Sequence, residues 1–148
     1  MKSYLMKNPS NGEDTNNCTI LSLSLAANIP YKEANEIGIK AGRKINEGFY
    51  LEPLYKEARK KGIKIKKVPI KSKINLKQFV SNYFFGRFVL ANDDHAFCLI
   101  NGKIHDVKEN ESNSIIESAY QFEVDSLTKI KEYFKDHYFY WHYNKREN

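Results

Sequence analysis

The chain has 148 residues, 41% of them hydrophobic, with 10 Tyr, 9 Phe and one Trp. That is enough apolar material for one domain, 1–148, with its own core, which excludes a largely disordered chain, and only two cysteines exclude a disulfide scaffold and fit a reducing compartment. The net charge of +6 leaves open an acidic partner or nucleic acid.

Residues 1–14 read as an irregular arm with a turn cluster at Asn8-Pro9-Ser10-Asn11-Gly12. No apolar run there has signal-peptide length, and nothing in the chain approaches the ~20 apolar residues of a membrane span. The expectation is a soluble, cytoplasmic protein with no membrane partner. Cys18 to Ala27 reads as a short helix, apolar nearly all round and therefore buried, with Asn16 or Asn17 able to cap it through the side chain.

Pro30 opens a second helix, whose face is Tyr31, Ala34, Gly38 and Ala41. Gly42-Arg43-Lys44-Ile45-Asn46-Glu47-Gly48 follows as a loop. Leu51, Leu54, Tyr55 and Ala58 define a third helix that stops at Gly62. Ile63-Lys64-Ile65-Lys66 alternates like a half-exposed strand, and Pro69 suits a sheet edge.

From Lys56 to Lys77 ten basic residues stand against one acid, Glu57. The segment lacks the interleaved aromatics that stack on bases, so it reads as a solvated lysine surface beside any cleft, with nucleic acid not expected.

Asn75 can cap a fourth helix with Leu76, Phe79, Val80, Tyr83 and Phe84 on one face. After Gly86 the period changes. Phe88–Ala91, Ala96–Ile100 and Lys103–Val107 read as three antiparallel strands, the last two joined at Asn101-Gly102, the strongest two-residue hairpin signal. Ser118 to Val124 reads as a further strand, Asp125 or Ser126 as the cap of a helix using Leu127, Ile130 and Phe134, and Tyr138 to Tyr143 as a final strand. Helices first and sheet later give an α+β class.

The chemistry sits at the joins. A thiol is nucleophilic as thiolate, and a helix N-terminus lowers its pKa, as does a nearby imidazolium. Cys18 stands at such a start. A two-residue turn at Asn101-Gly102 pairs Leu99 with Ile104, Cys98 with His105 and Phe97 with Asp106, placing His95 and Asp106 on one face as diagonal neighbours. A carboxylate there can orient an imidazole, as the third member of a triad does. Cys98 and His105 form a rival pair on the opposite face, without helix-terminus activation and better suited to packing. A zinc site from Cys18, His95, Cys98 and His105 is disfavoured, because His95 and Cys98 point to opposite faces. No metal and no cofactor is expected.

Asn16-Asn17-Cys18 with its helix, Gly42-Arg43 with Asn46-Glu47-Gly48, and His95-Ala96 through Gly102 to His105-Asp106 resemble a group of small phage-type proteins in the papain-like cysteine peptidase superfamily. The resemblance covers roughly residues 14–108. It implies a papain-like fold, an N-terminal helix carrying Cys packed on an antiparallel sheet carrying His and Asp. It implies Cys18 as nucleophile, His95 as general base and Asp106 as orienter; a peptide or protein substrate is the expectation. Two positions depart from the pattern. Gly12 stands where papain-like enzymes often carry an oxyanion Gln, and Asn17 stands where the phage-type group usually has Asp.

Asn16 or Asn17, with the Cys18 N–H, is then the candidate oxyanion donor. Arg43 is a candidate for a substrate carboxylate, or else for pinning its own loop. The functional expectation is a thiol hydrolase, a cysteine peptidase or amidase working through a thioester. The alternatives are a cell-wall peptide hydrolase and a non-catalytic papain-like module that blocks a host factor.

Overall fold

The computed structural model describes residues 2–124 apart from 11, 71, 94, 109 and 111. The helix expected after Asp125 and the strand expected at Tyr138–Tyr143 lie outside these residues. In chain order the elements are β1 (Lys2–Leu5), α1 (Cys18–Ala27), α2 (Tyr31–Ala41), α3 (Leu51–Lys60), β2 (Lys64–Val68), β3 (Ile74–Asn75), α4 (Leu76–Asn82), β4 (Arg87–Ala91), β5 (Ala96–Ile100), β6 (Lys103–Asp106), β7 (Ile115–Ile116) and β8 (Ser118–Glu123).

The class is α+β. A six-stranded sheet runs β1-β6-β5-β4-β8-β2, antiparallel throughout except for β1, which lies parallel to β6. Strand alternation sorts the side chains onto two faces. Val89, Ala91, Ala96, Cys98, Ile100, Tyr120 and Phe122 join the core under α1, α2 and α3. Phe88, Leu90, Phe97, Leu99, Ile104 and Ala119 join a second core with Leu76, Phe79 and Ile116, from α4 and the small β3-β7 ladder. The central strands β4 and β5 are therefore buried on both faces.

The first helix is the buried one that its all-round apolar sequence calls for. Every residue from Thr19 to Ala26 is buried. Gly38 lets α2 approach it: a Cβ there would lie 2.5 Å from Ile20 Cδ1. Arg87 on β4 donates from Nε to Ala26 O at 2.8 Å and from its terminal nitrogen to Leu25 O, satisfying carbonyls at the C-terminal end of α1.

The β5-β6 hairpin has the register given by its turn, Cys98 opposite His105 and Leu99 opposite Ile104. Asn101 and Gly102 have φ of 47° and 77°, the left-handed pair of a type I′ turn.

Three expectations need correction. Residues 2–5 of the supposedly irregular arm form β1, pairing Lys2 to Lys103 through Leu5 to Asp106. Four residues carry too little pattern for a strand whose partner lies at the far end of the domain. The fourth helix ends at Asn82, so Tyr83 and Phe84 leave its face and are exposed. Asn17 occupies the N-cap position of α1 without a side-chain cap bond, whereas Asn75 makes the full capping box with Gln78.

Candidate active site

Helix α1 starts at Cys18 with its first turn pointed at the beginning of β5. Cys18 stands beside His95 and Ala96, and all three line one cleft. Burial pushes the thiol up, but the His95 imidazole and the Ala96 N–H outweigh it, and the thiol lies below its ordinary value. Burial likewise disfavours the imidazolium, yet hydrogen bonds to Asp106 and Cys18 push His95 up to about 9. Opposite shifts of this kind favour transfer of the Cys18 proton to His95.

His95 is set by a tight β4–β5 turn. Its N–H donates to Asn92 Oδ1 at 3.1 Å, and its carbonyl accepts from Asn92 N at 3.0 Å. Its ring lies nearly parallel to Phe97, with centroids 6.0 Å apart. Nε2 sits 2.5 Å from Asp106 Oδ2, which leaves Nδ1 as the ring nitrogen for Cys18. Asp106 is only 3% exposed. Its Oδ1 accepts the Val107 N–H at 2.7 Å, and its Oδ2 also accepts Asn110 Nδ2 at 2.8 Å. The structure thus brings Cys18, His95 and Asp106 together, with His95 hydrogen-bonded to Asp106. Asn110 was not singled out in the sequence, because a loop residue after a strand end carries no periodic signal.

The residues leading into Cys18 are held by a second network. Arg43 is 4% and Asp14 5% exposed. Arg43 grips Asp14 with both terminal nitrogens, at 2.7 and 2.8 Å. Its Nε donates to Glu47 O at 3.0 Å, and one terminal nitrogen reaches the Thr15 and Asn16 carbonyls at 3.4 Å. The Arg43 hydrogen bonds hold the Asp14 carboxyl below its usual range. Asn46 N donates to Asp14 Oδ1 at 2.9 Å, and Asn46 Oδ1 accepts Thr15 N at 2.8 Å.

The fork offered in the sequence to a substrate carboxylate is thus occupied, and Arg43 pins loops instead. Of the two oxyanion candidates, Asn17 has both side-chain N–H groups engaged and Asn16 has one. The Asn16 amide donates to Asn46 O at 3.1 Å. Asn17 Nδ2 is committed to Asn8 Oδ1 at 3.0 Å and to the Tyr31 hydroxyl at 2.9 Å.

Cys18 and His95 open onto a cleft of about 920 Å³. One wall is Gly48-Phe49-Tyr50 and the start of α3; the other is Ala91, Asn92 and Asp93. Tyr50 stands 82% exposed on the rim. Ser118 and Tyr120 of β8 also line it, with Glu52 hydrogen-bonded to the Tyr120 hydroxyl and Lys67 3.8 Å from Glu52. Lys67 corrects the expectation that the basic segment stays out of the cleft. Thr19 lines the inner wall, and its hydroxyl is buried without a hydrogen-bond partner among the described residues.

The rival pair lies elsewhere. Cys98 is fully buried in the helix-side core. His105 is buried against Tyr4, ring centroids 5.0 Å apart, and burial with the Arg87 and Lys103 charges pushes it down to about 4. No group of three or more His, Cys, Asp or Glu side chains among the described residues is arranged to hold a metal ion. None of the described helices is long and apolar enough to cross a membrane. Set against protein-family models, curated proteins and solved structures, the chain matches none.

Proposed function

We propose that this protein is a papain-like thiol hydrolase that cleaves a peptide or amide bond through a Cys18–His95–Asp106 triad. One observation carries the reading: a thiol at a helix start shares a cleft with an imidazole that a buried carboxylate holds by one ring nitrogen. In the reactive form the Cys18 proton has passed to His95. The thiolate attacks the substrate carbonyl, and the tetrahedral oxyanion forms beside the Cys18 N–H at the start of α1, where the helix supplies no acceptor of its own. Its collapse breaks the C–N bond, and His95 gives its proton to the leaving amine. Water, deprotonated by His95, then hydrolyses the thioester and regenerates the thiol. Asp106 keeps the ring oriented throughout. The substrate is a peptide or protein segment lying in the cleft between Tyr50 and Asn92, and the working compartment is the cytoplasm.

Iodoacetamide labelling read by mass spectrometry tests this. Cys18 should react faster than Cys98 at pH 6, and His95→Ala should slow it by roughly tenfold or more, the scale of losing a charge-assisted hydrogen bond. Equal rates at both cysteines, indifferent to His95→Ala, would remove the thiolate and the hydrolase with it.

A further inference from the structure

We propose that Asn110 is a positioning residue of this site, a fourth member of the chain that acts on His95 and Cys18 through Asp106. The inference rests on the hydrolase reading above. Asp106 Oδ2 is the oxygen that meets His95 Nε2 at 2.5 Å, and Asn110 Nδ2 donates to that same oxygen at 2.8 Å. The other carboxylate oxygen is fixed by the Val107 N–H at 2.7 Å.

A carboxylate held on one oxygen alone can swing about its Cβ–Cγ bond; held on both, its plane is set. Asn110 therefore decides where Oδ2 points, and so where His95 presents its opposite nitrogen. An amide is the suitable donor for this. It carries no charge of its own, so it orients the carboxylate without competing with the imidazolium as a counter-ion.

The Asn110 side chain is itself supported. Nδ2 also reaches Lys108 O at 3.3 Å, and farther along the same loop Ser112 O and Ser114 O accept the Lys77 and Leu76 N–H groups at 3.0 and 2.9 Å. Those are first-turn amides of α4, on the sheet face opposite α1. The orienting loop is thus anchored to an element that contributes no residue to the cleft lining.

The test is a pH profile of Cys18 alkylation in wild type, Asn110→Ala, Asp106→Asn and the double variant. Cys98, fully buried, reports whether the fold stays closed. Asn110→Ala should move the acid limb of the Cys18 profile to higher pH and lower the rate at pH 6 by roughly tenfold, the scale of one charge-assisted hydrogen bond. Added to Asp106→Asn it should change nothing further, because its partner is already altered. A wild-type profile for Asn110→Ala, or an equal effect in both backgrounds, overturns the inference. If Asn110→Ala lets Cys98 react, Asn110→Leu, similar in size and without a donor, makes the same comparison. Failure of the inference leaves Cys18 reactive and sensitive to His95→Ala; failure of the hydrolase reading abolishes that sensitivity as well.

Discussion

The nucleophile and the base are supported by different physics. The chain before Cys18 is stapled by a buried two-pronged ion pair, Asp14–Arg43, by Arg43 bonds to the Thr15 and Asn16 carbonyls, and by Asn46 bonds to the Asp14 carboxylate and the Thr15 N–H. That network fixes where α1 begins and sends no hydrogen bond to the sulfur. The support behind His95 is thinner: one carboxylate, two other donors to it, and a single turn at Asn92. It sets the proton affinity of the ring as well as its place. The first region stabilises, the second tunes, and substitutions should separate the two.

The largest expected effect falls on the stapled side. Arg43→Ala leaves a buried Asp14 carboxylate without its partner and should cost about 3–5 kcal/mol, read as a lower urea midpoint. Asp106→Asn keeps its shape and should shift the midpoint less, while slowing Cys18 alkylation at pH 6 by roughly tenfold. A reversed order of midpoints would break the comparison.

Next comes pH. A raised pKa means that the fold holds the His95 proton more tightly than the unfolded chain does. Its contribution is therefore complete below the unfolded value, ~6.5, and is lost as pH rises through the folded value, about 9. His105 has the opposite sign. The fold excludes its proton, so stability falls as pH drops below ~6.5, and the loss is complete near its folded value, about 4. Melting curves from pH 4 to 10 should show the alkaline loss vanish in His95→Gln and the acid loss shrink in His105→Gln.

The smallest effect sharpens the comparison from outside both regions. Asn75→Ala removes the capping box of α4, which anchors the Asn110 loop, and should cost about 1 kcal/mol. Cys18 alkylation at pH 7 should be unchanged, because the first-turn bonds to Ser112 and Ser114 remain.

What was legible in the sequence follows the range over which each pattern acts. The hairpin register could be read from two turn residues, since a type I′ turn fixes every pair above it, and the proximity of His95 to Asp106 came with it. Helix α1 announced its burial by being apolar on all sides. Arg43 was noticed, but its partner Asp14 was not, because an ion pair between two loops has no spacing rule. β1 and the β3-β7 ladder were missed for a related reason. Strands of four and two residues exist only because a distant edge accepts them.

The lysines of β2 have a consequence of another kind. This strand closes one side of the sheet, bonded to β8 and to no second strand among the described residues. Among the described residues its far side pairs with no strand, and an edge of that kind is a template on which another copy of the chain could continue the sheet. Lys64, Lys66 and Lys67 are exposed along that edge, and Pro69 follows directly. Two copies meeting there would bring like charges together, so edge-to-edge growth is opposed before it starts. A segment whose charge first suggests a ligand is, by this account, a guard against aggregation.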